Sequence, residues 1–361
     1  MSTILIISPE PWEGHFVSKH HYAQELARRG HMVLFHGPPA STGPMRLHPV
    51  ETASGDLSVL HPPRVAPGLR FLPAPLRCAC EAKWLKKVEQ LCGQPIGVVW
   101  NFENSRFFDM NFAGERLKIY HQVDLNQDFH PETAAATADH VFCTSKLIQK
   151  RLLPHHANAQ VIQHGVQIAP ISAEREAHLF ATGTLNCLYV GNLSMEYLDR
   201  DLLLNCLEKF PDMTLNFVGG FREGDPFEQA LRQRPNAVLH GKVAPDRILS
   251  IIANADILLV TYAKEHFDDQ SNPHKIMEYM MGGKVIVATY TQEYEAVSDL
   301  LVMGDRDTDF VQLLGNVARE IEAWNTPELM THRRAFAADN TYPRQLDRIA
   351  QAIGPRGHLI S

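Results

Sequence analysis

Residues 271–289, SNPHKIMEYMMGGKVIVAT, hold a helix start and a buried strand in one stretch, and the rest of the chain is placed around them. Ser271 or Asn272 is positioned to cap a helix whose first residue is Pro273, where a missing N–H costs nothing and the fixed φ already suits the helix. Ile276, Met277, Met280 and Met281 supply apolar positions at helical spacing, and Gly282 with Gly283 ends the helix. Residues 284–289 then run on as a β-branched segment of the kind that a parallel sheet buries on both faces. The order is loop, short helix, strand.

The chemistry of that helix start goes beyond packing. Free backbone N–H groups and the positive end of the helix dipole attract a phosphate, and Lys275 in the first turn adds a full charge. Glu278, three residues on, shares a face with Lys275. A diphosphate at the lysine would leave this carboxylate near a ribose, whose two hydroxyls it can accept together. Read so, the stretch is half of a nucleotide-sugar site. Read otherwise, Lys275 and Glu278 are an exposed pair worth a few tenths of a kcal/mol.

The pattern P-x-K-x-x-E-Y-M-x-x-G-K-V-I-V-A-T over 273–289 resembles the donor-site segment of two-domain GT-B glycosyltransferases, above all family 4 and its relatives acting on bacterial surface polysaccharides. The resemblance implies an α/β chain of two Rossmann-like domains facing a central cleft, with a C-terminal helix crossing back to the first domain. On this chain it implies an acceptor domain over 1–168, a nucleotide-sugar donor domain over 169–340 and the returning helix over 341–361.

Composition limits the alternatives. The chain has 361 residues, 45% hydrophobic and 21% charged, enough for two domains, and its formal net charge of −7 argues against a nucleic-acid partner. The six cysteines show no paired C-x-x-C spacing, so a zinc site or disulfide framework is not expected and a reducing cytosol fits. The apolar run 3–7 is too short for a signal-peptide core, and no run approaches membrane-spanning length. The expectation is a cytoplasmic protein, soluble or peripheral to the inner membrane.

Taken in order, 3–8 reads as a strand, 9–16 as a loop, 18–29 as a helix closed by Gly30, and 31–36 as the next strand. This is a Rossmann-like opening, whose ligands sit beyond the carboxyl ends of the strands. Gly14 and His15 on the loop, and His20 and His21 at the start of the helix, are therefore candidates to face the cleft. Turn formation by the glycine and half-burial of the histidine pair are the plainer alternatives. Residues 37–75 read as loops with one or two weak strands. Residues 70–91 mix Phe71, Leu76, Trp84 and Leu85 with Arg70, Arg77, Lys83, Lys86 and Lys87. Such a helix either lies on an anionic membrane surface, suiting a lipid-linked acceptor, or packs on the sheet with its basic face in water.

Strands at 96–100 and 117–121 follow, the second ending in Tyr120-His121-Gln122-Val123-Asp124. In the resembling enzymes this strand ends beside the transferred sugar. The resemblance therefore implies His121 as a hydrogen-bond partner of the sugar and Asp124 as the general base on the acceptor hydroxyl; alternatively, Asp124 only caps a loop. Residues 138–145 read as a strand, 146–153 as a helix, 161–168 as a strand with an H-G-V turn, and 169–183 as a linker.

The second domain opens with a strand at 186–190 and Gly191, a donor-site position. Here the chain departs from the resembling enzymes, which place an Arg after this glycine and a Lys a few residues on; this chain has Asn192 and no lysine before Lys209, with Arg200 the available substitute. Asp199-Arg200-Asp201 imitates a D-x-D metal motif but reads better as a helix N-terminus. Strands at 214–218, 238–241 and 257–262 and a helix at 245–253 continue the alternation, bringing Tyr262 toward the opening stretch. Position 270 is Gln where many relatives carry a sugar-binding Glu, with Asp268 and Asp269 nearby. The K-x-x-E-Y arrangement at 275–279, preceded by Ser271, is also similar to that of exopolysaccharide glucuronosyltransferases, so hexosyl and glucuronosyl transfer, and retention and inversion, all stay open. Helical patterns at 309–324 and 333–353 close the chain, with 340–343 as the crossover.

The function implied is transfer of a sugar from a nucleotide diphosphate to a hydroxyl of a surface glycan or glycolipid, with no metal or other cofactor. A non-catalytic sugar-nucleotide or glycan binding protein of the same fold is the alternative, kept open by Asn192 and Gln270. A Rossmann dehydrogenase is disfavoured because neither domain carries G-x-G-x-x-G between strand and helix.

Overall fold

The computed structural model describes residues 1–361 apart from 15, 40–43, 52–54, 62–64, 66, 67, 169, 271 and 298. The chain divides into two compact units, Met1–Gly165 with Tyr342–Ser361, and Val166–Thr341. The expected boundaries, after 168 and after 340, fall three residues and one residue later and earlier than these.

In the first unit β1 (Thr3–Ile7), buried at every residue, feeds α1 (Ser18–Arg28), which Gly30 ends with φ +87° before β2 (Met32–His36). After β3 (Arg46–Pro49) and β4 (Asp56–His61) come α2 (Ala74–Cys92), β5 (Val98–Asn101), β6 (Leu117–Gln122), α3 (Pro131–Thr137), β7 (His140–Cys143), α4 (Lys146–Leu152) and β8 (Gln160–Val161). The sheet order is β3-β4-β2-β1-β5-β6-β7-β8, parallel throughout except that β3 runs antiparallel to β4. A nearly parallel sheet is covered on both faces, which is why its strands read as apolar runs. The largely exposed edge strand β3 has no such signature.

Two expectations for this unit are corrected. The strand expected over 161–168 is only Gln160–Val161, because Ile162 is the last residue to pair with Cys143 and the chain then turns at His164 and Gly165 to leave the unit. The basic helix expected over 70–91 starts at Ala74, since Pro73 and Pro75 permit a helix start but not a helix interior. Its apolar side, Trp84, Leu85 and Val88, is buried while Lys83, Lys86 and Lys87 are exposed. The body of α2 is therefore a packed helix with a solvated basic face. At its entry Phe71 and Leu76 are 77% and 58% exposed.

The second unit begins with α5 (Ala173–Glu176) and a short 3-10 turn, Ala177–Leu179, where a linker was expected. Fully buried Glu176 explains the difference, receiving two hydrogen bonds from Arg247 at 2.8 and 2.5 Å that tie the segment down. Then follow β9 (Leu185–Val190), α6 (Arg200–Lys209), β10 (Met213–Val218), α7 (Pro226–Arg232), β11 (Ala237–Gly241), α8 (Pro245–Asn254), β12 (Ile257–Val260), α9 (Lys275–Gly282), β13 (Val285–Ala288), β14 (Val302–Met303), α10 (Phe310–Arg319), α11 (Ile321–Trp324) and α12 (Pro327–Asp339). The order β11-β10-β9-β12-β13-β14 is parallel at every pair. The expected helix over 309–324 breaks at Glu320 into α10 and α11, and the one over 333–353 breaks at Asn340–Thr341.

After that second break α13 (Tyr342–Ile353) belongs to the first unit. Leu346, Ile349, Ile353 and Ile360 join Ile4, Ile6, Tyr22 and Leu26 in one apolar cluster. Arg29 pairs with Asp347 at 2.8 Å and donates to the Pro343 carbonyl at 2.9 Å. The Tyr342 ring fills the space over Gly165, where a methyl group would lie 2.5 Å from it. Among the described residues no helix is long and apolar enough to cross a membrane.

Candidate functional site

In a doubly wound sheet the ligand crevice lies beyond the carboxyl ends of the strands, where the strand order reverses. In the second unit that point is between β9 and β12, whose following loops carry Gly191 and Tyr262 and lead to the start of α9. The α9 stretch is loop, helix and strand as expected, with Gly283 at φ +83° closing the helix. Its N-cap position is held by His274, not by Ser271 or Asn272, a correction with a local cause. The turn opens with Ile276 and Met277 N–H groups donating to the Pro273 and His274 carbonyls, so regular helix starts two residues later than Pro273. Ser271 lies outside the described residues, and Asn272 is half-buried beside the turn.

Lys275 is the centre of this site. Its stem is partly exposed, but its ammonium is buried and has no hydrogen-bond partner among the described residues. Nζ lies 3.9 Å from the Tyr189 ring centroid and 5.5 Å from that of Tyr262. Burial pulls its pKa down to about 7, against a smaller upward pull from Glu278. Cation–π contact with two tyrosines replaces only part of the lost hydration, so the ammonium is poised for an anion. Glu278, one turn on and half-buried, makes no hydrogen bond among the described residues.

The floor of the recess is backbone. Gly191 and Gly219 both have φ +149°, and a methyl group on Gly219 would lie 1.8 Å from the Gly191 carbonyl oxygen. Gly191 N–H donates to the Val218 carbonyl at 2.9 Å and Leu193 N–H to that of Gly220 at 3.0 Å. The Gly219-Gly220 pair is thus a close approach of two strand-end loops. Tyr279 locks α9 to β9 by accepting the Val190 N–H at 2.8 Å.

Arg200 does not stand in for the missing arginine. Its guanidinium pairs with Asp225 at 3.4 Å and lies over the Phe227 ring. Asp199 caps α6 by accepting from Leu202 N–H at 2.8 Å, as its helix-start reading expected. Asp268 pairs with Arg306 and Asp269 with His266. Among the described residues no cluster of three or more His, Cys, Asp or Glu side chains is arranged to hold a metal ion.

In the first unit the reversal falls between β1 and β5, and His121 lies at the end of the neighbouring β6. It is 1% exposed, ringed by Phe102, Tyr22 and Trp100 at centroid distances of 5.1, 5.8 and 6.2 Å. Neither ring nitrogen has a partner among the described residues, and burial pulls its pKa to about 3, with Lys19 adding to the effect. Asp124 is exposed on the turn after β6, where its carbonyl accepts from Gln122 Nε2 at 3.1 Å and Gln127 N–H at 3.3 Å. The other candidates sit in packing positions. His20 is fully buried, accepts from Val17 N–H through Nδ1 and sits 2.8 Å from the Pro11 carbonyl through Nε2. His21 stacks on Tyr342 at 4.5 Å. Gly14 is an exposed turn glycine at φ +116° with open space around it, and His15 lies outside the described residues.

The His121 environment carries a pH prediction. The folded imidazole is neutral down to about pH 3 whereas an unfolded one takes a proton near 6.5, so the folded state binds fewer protons between those values and loses stability as pH falls below 6.5. At pH 4.5 the loss reaches about 2–3 kcal/mol. Urea titrations of His121→Phe should therefore show a shallower decline between pH 7 and 4.5 than wild type; identical declines would contradict the buried neutral ring.

Sequence reading missed Tyr189 and Lys19. Tyr189 precedes Gly191 by two, but an aromatic inside an apolar strand reads as core. Lys19 is 1% exposed and pairs with Glu10 at 2.7 Å, which only the folded loop after β1 brings about.

Comparison with known proteins agrees with this geometry. Residues 184–320 match the family model of glycosyl transferases group 1. TuaH of Bacillus subtilis, a candidate teichuronic acid biosynthesis glycosyltransferase, is 24% identical over 194 residues, covering 48% of this chain and 47% of TuaH. The chain thus matches about half the length of this curated relative. Sucrose-phosphate synthase from Thermosynechococcus elongatus superposes with TM-score 0.72 at 13% identity, over 97% of this chain and 98% of that one. HepE of Anabaena, solved with UDP and glucose, superposes with TM-score 0.68 at 15% identity, over 98% of this chain and 100% of that one. With the family match confined to the second unit and the structural likeness spanning both, the chain has the GT-B fold and its residues 184–320 match the group 1 glycosyl transferases.

Proposed function

We propose that the chain is a nucleotide-sugar-dependent glycosyltransferase that moves a sugar from a nucleoside diphosphate to a hydroxyl of a bacterial surface glycan or glycolipid. The observation that carries this reading is the buried Lys275 ammonium, without a hydrogen-bond partner among the described residues, beside the glycine-floored recess at Gly191. HepE supports it as a structural neighbour solved with UDP and glucose, and TuaH as a sequence relative described in teichuronic acid biosynthesis.

In this reading Lys275 and the N-terminal end of α9 stabilise the departing diphosphate, where charge develops as the bond to the sugar breaks. Glu278 accepts the ribose hydroxyls. His121, whose nitrogens have no partner among the described residues, hydrogen-bonds the sugar, and exposed Asp124 takes the acceptor proton. The charge on the diphosphate is met by the protein, so turnover should survive EDTA. Asp124→Asn should lower turnover by at least about a hundredfold with donor affinity unchanged. Unchanged turnover would remove Asp124 from its role. The absence of an arginine at position 192 and the engagement of Arg200 by Asp225 favour, as a second reading, a protein of the same fold that binds the nucleotide sugar without turning it over. Donor binding without product in any Asp124 background would select it.

A lipid-borne acceptor suits the entry of α2, where Phe71 and Leu76 are exposed, Arg70 lies over the Phe71 ring, and exposed Lys83, Lys86 and Lys87 follow along the helix of an otherwise acidic chain. Co-sedimentation with vesicles containing phosphatidylglycerol should exceed that with phosphatidylcholine several-fold and fall in Phe71→Ser/Leu76→Ser. Equal recovery with both lipids would leave α2 as a packed helix only.

A further inference from the structure

Tyr189 lies near the end of β9 with 1% of its surface exposed, and its hydroxyl has no hydrogen-bond partner among the described residues. A buried unpaired hydroxyl is costly, and native folds seldom keep one without a use. Its surroundings show a use. A methyl group placed on Gly191 would sit 3.2 Å from the Tyr189 hydroxyl oxygen and 3.1 Å from Lys275 Nζ. Two buried donors with no partner therefore flank the spot that glycine leaves open. The neighbouring Tyr279 makes the contrast, since its hydroxyl is taken by the Val190 N–H at 2.8 Å.

We propose that Tyr189 is a direct phosphate ligand of this recess: its hydroxyl donates to a phosphate oxygen lodged against Gly191, beside Lys275 Nζ, while its ring face holds the ammonium in place. The inference rests on the reading of the recess as a nucleotide-diphosphate site. Burial raises the hydroxyl's pKa far above its ordinary value, so it stays protonated and acts as a donor. It also answers a deficit in the loop after β9. Asn192 accepts the Ser194 N–H through its side-chain oxygen at 3.0 Å, and Arg200 is paired with Asp225. A neutral donor from beneath the loop supplies a second contact where neither Asn192 nor Arg200 does.

Tyr189→Phe removes the hydroxyl and keeps the ring, and thermal unfolding should show the unliganded variant as stable as wild type, since it loses no bond. Calorimetry with ADP, CDP, GDP, UDP and inorganic pyrophosphate reads the ligand side. Wild type should bind pyrophosphate and at least one nucleoside diphosphate. Tyr189→Phe should bind both about tenfold more weakly, by a similar factor, since the lost contact is to phosphate. Unchanged affinity in Tyr189→Phe, with binding abolished in Lys275→Ala, would overturn the role of Tyr189 and leave the donor site standing. Failure of folded wild type to bind any of the five would overturn both.

Discussion

Replacing Lys275 by methionine is expected to weaken binding of a nucleoside diphosphate at least a hundredfold while leaving the unliganded protein as stable as wild type or more so. The two effects have one cause. The ammonium is buried with no hydrogen-bond partner among the described residues, and burial pulls its pKa from 10.5 to about 7 despite the smaller opposing pull of Glu278. Below pH 7 both folded and unfolded lysine are charged, so the whole cost of burying the charge falls on the folded state. Between about 7 and 10.5 the folded lysine releases its proton and the unfolded one keeps it, so stability rises with pH across that window. Methionine fills the same volume without charge and should add on the order of 3 kcal/mol at pH 6, the gain shrinking toward pH 10. The bound diphosphate loses a charge-assisted contact, and a hundredfold weakening corresponds to about 2.8 kcal/mol. In wild type the affinity should be flat below pH 7 and fall toward tenfold per unit above it, since the anion selects the protonated lysine. Calorimetry across pH 6–9 reads both, and Lys275→Met binding as tightly as wild type would remove Lys275 from the site.

Gly219→Ala should cost about 3 kcal/mol or more, lowering the melting temperature by about 10 °C. An alanine there must adopt φ +149°, which L residues rarely reach, with its methyl 1.8 Å from the Gly191 carbonyl oxygen. The loops after β9 and β10 would have to part, opening the recess floor. Gly224→Ala is the control. It also has positive φ, +73°, but nothing lies within 4 Å of the added methyl, so it should cost only about 1 kcal/mol. Equal melting temperatures for the two variants would show that the close approach at Gly191 contributes nothing.

What could be read from the sequence was what local chemistry dictates. The strand-helix alternation, the Gly283 helix end and the Asp199 cap follow from periodicity and capping, which need no distant partner. The residues that miscarried depend on contacts from afar. The segment 169–183 reads as linker until Arg247 and Glu176 meet across 71 positions. His20 and His21 look like cleft residues until Pro11 and Tyr342 are seen to hold them. The place of Lys275 in the first turn of α9 was legible, but its loss of hydration and its contact with Tyr189 were not, because both depend on where β9 lies beside β12. Arg200 as a substitute cation failed for the same reason, its partner Asp225 lying on the loop before α7.

The central claim is that the recess at Gly191 and Lys275 takes a nucleoside diphosphate. A thermal-shift panel of nucleoside diphosphates and their sugars tests it most directly, since a ligand at a hundred times its Kd adds about 2.7 kcal/mol of stability. The account predicts stabilisation by one base in preference to the others, lost in Lys275→Ala. No stabilisation by any of them, in wild-type protein shown to be folded, would contradict it.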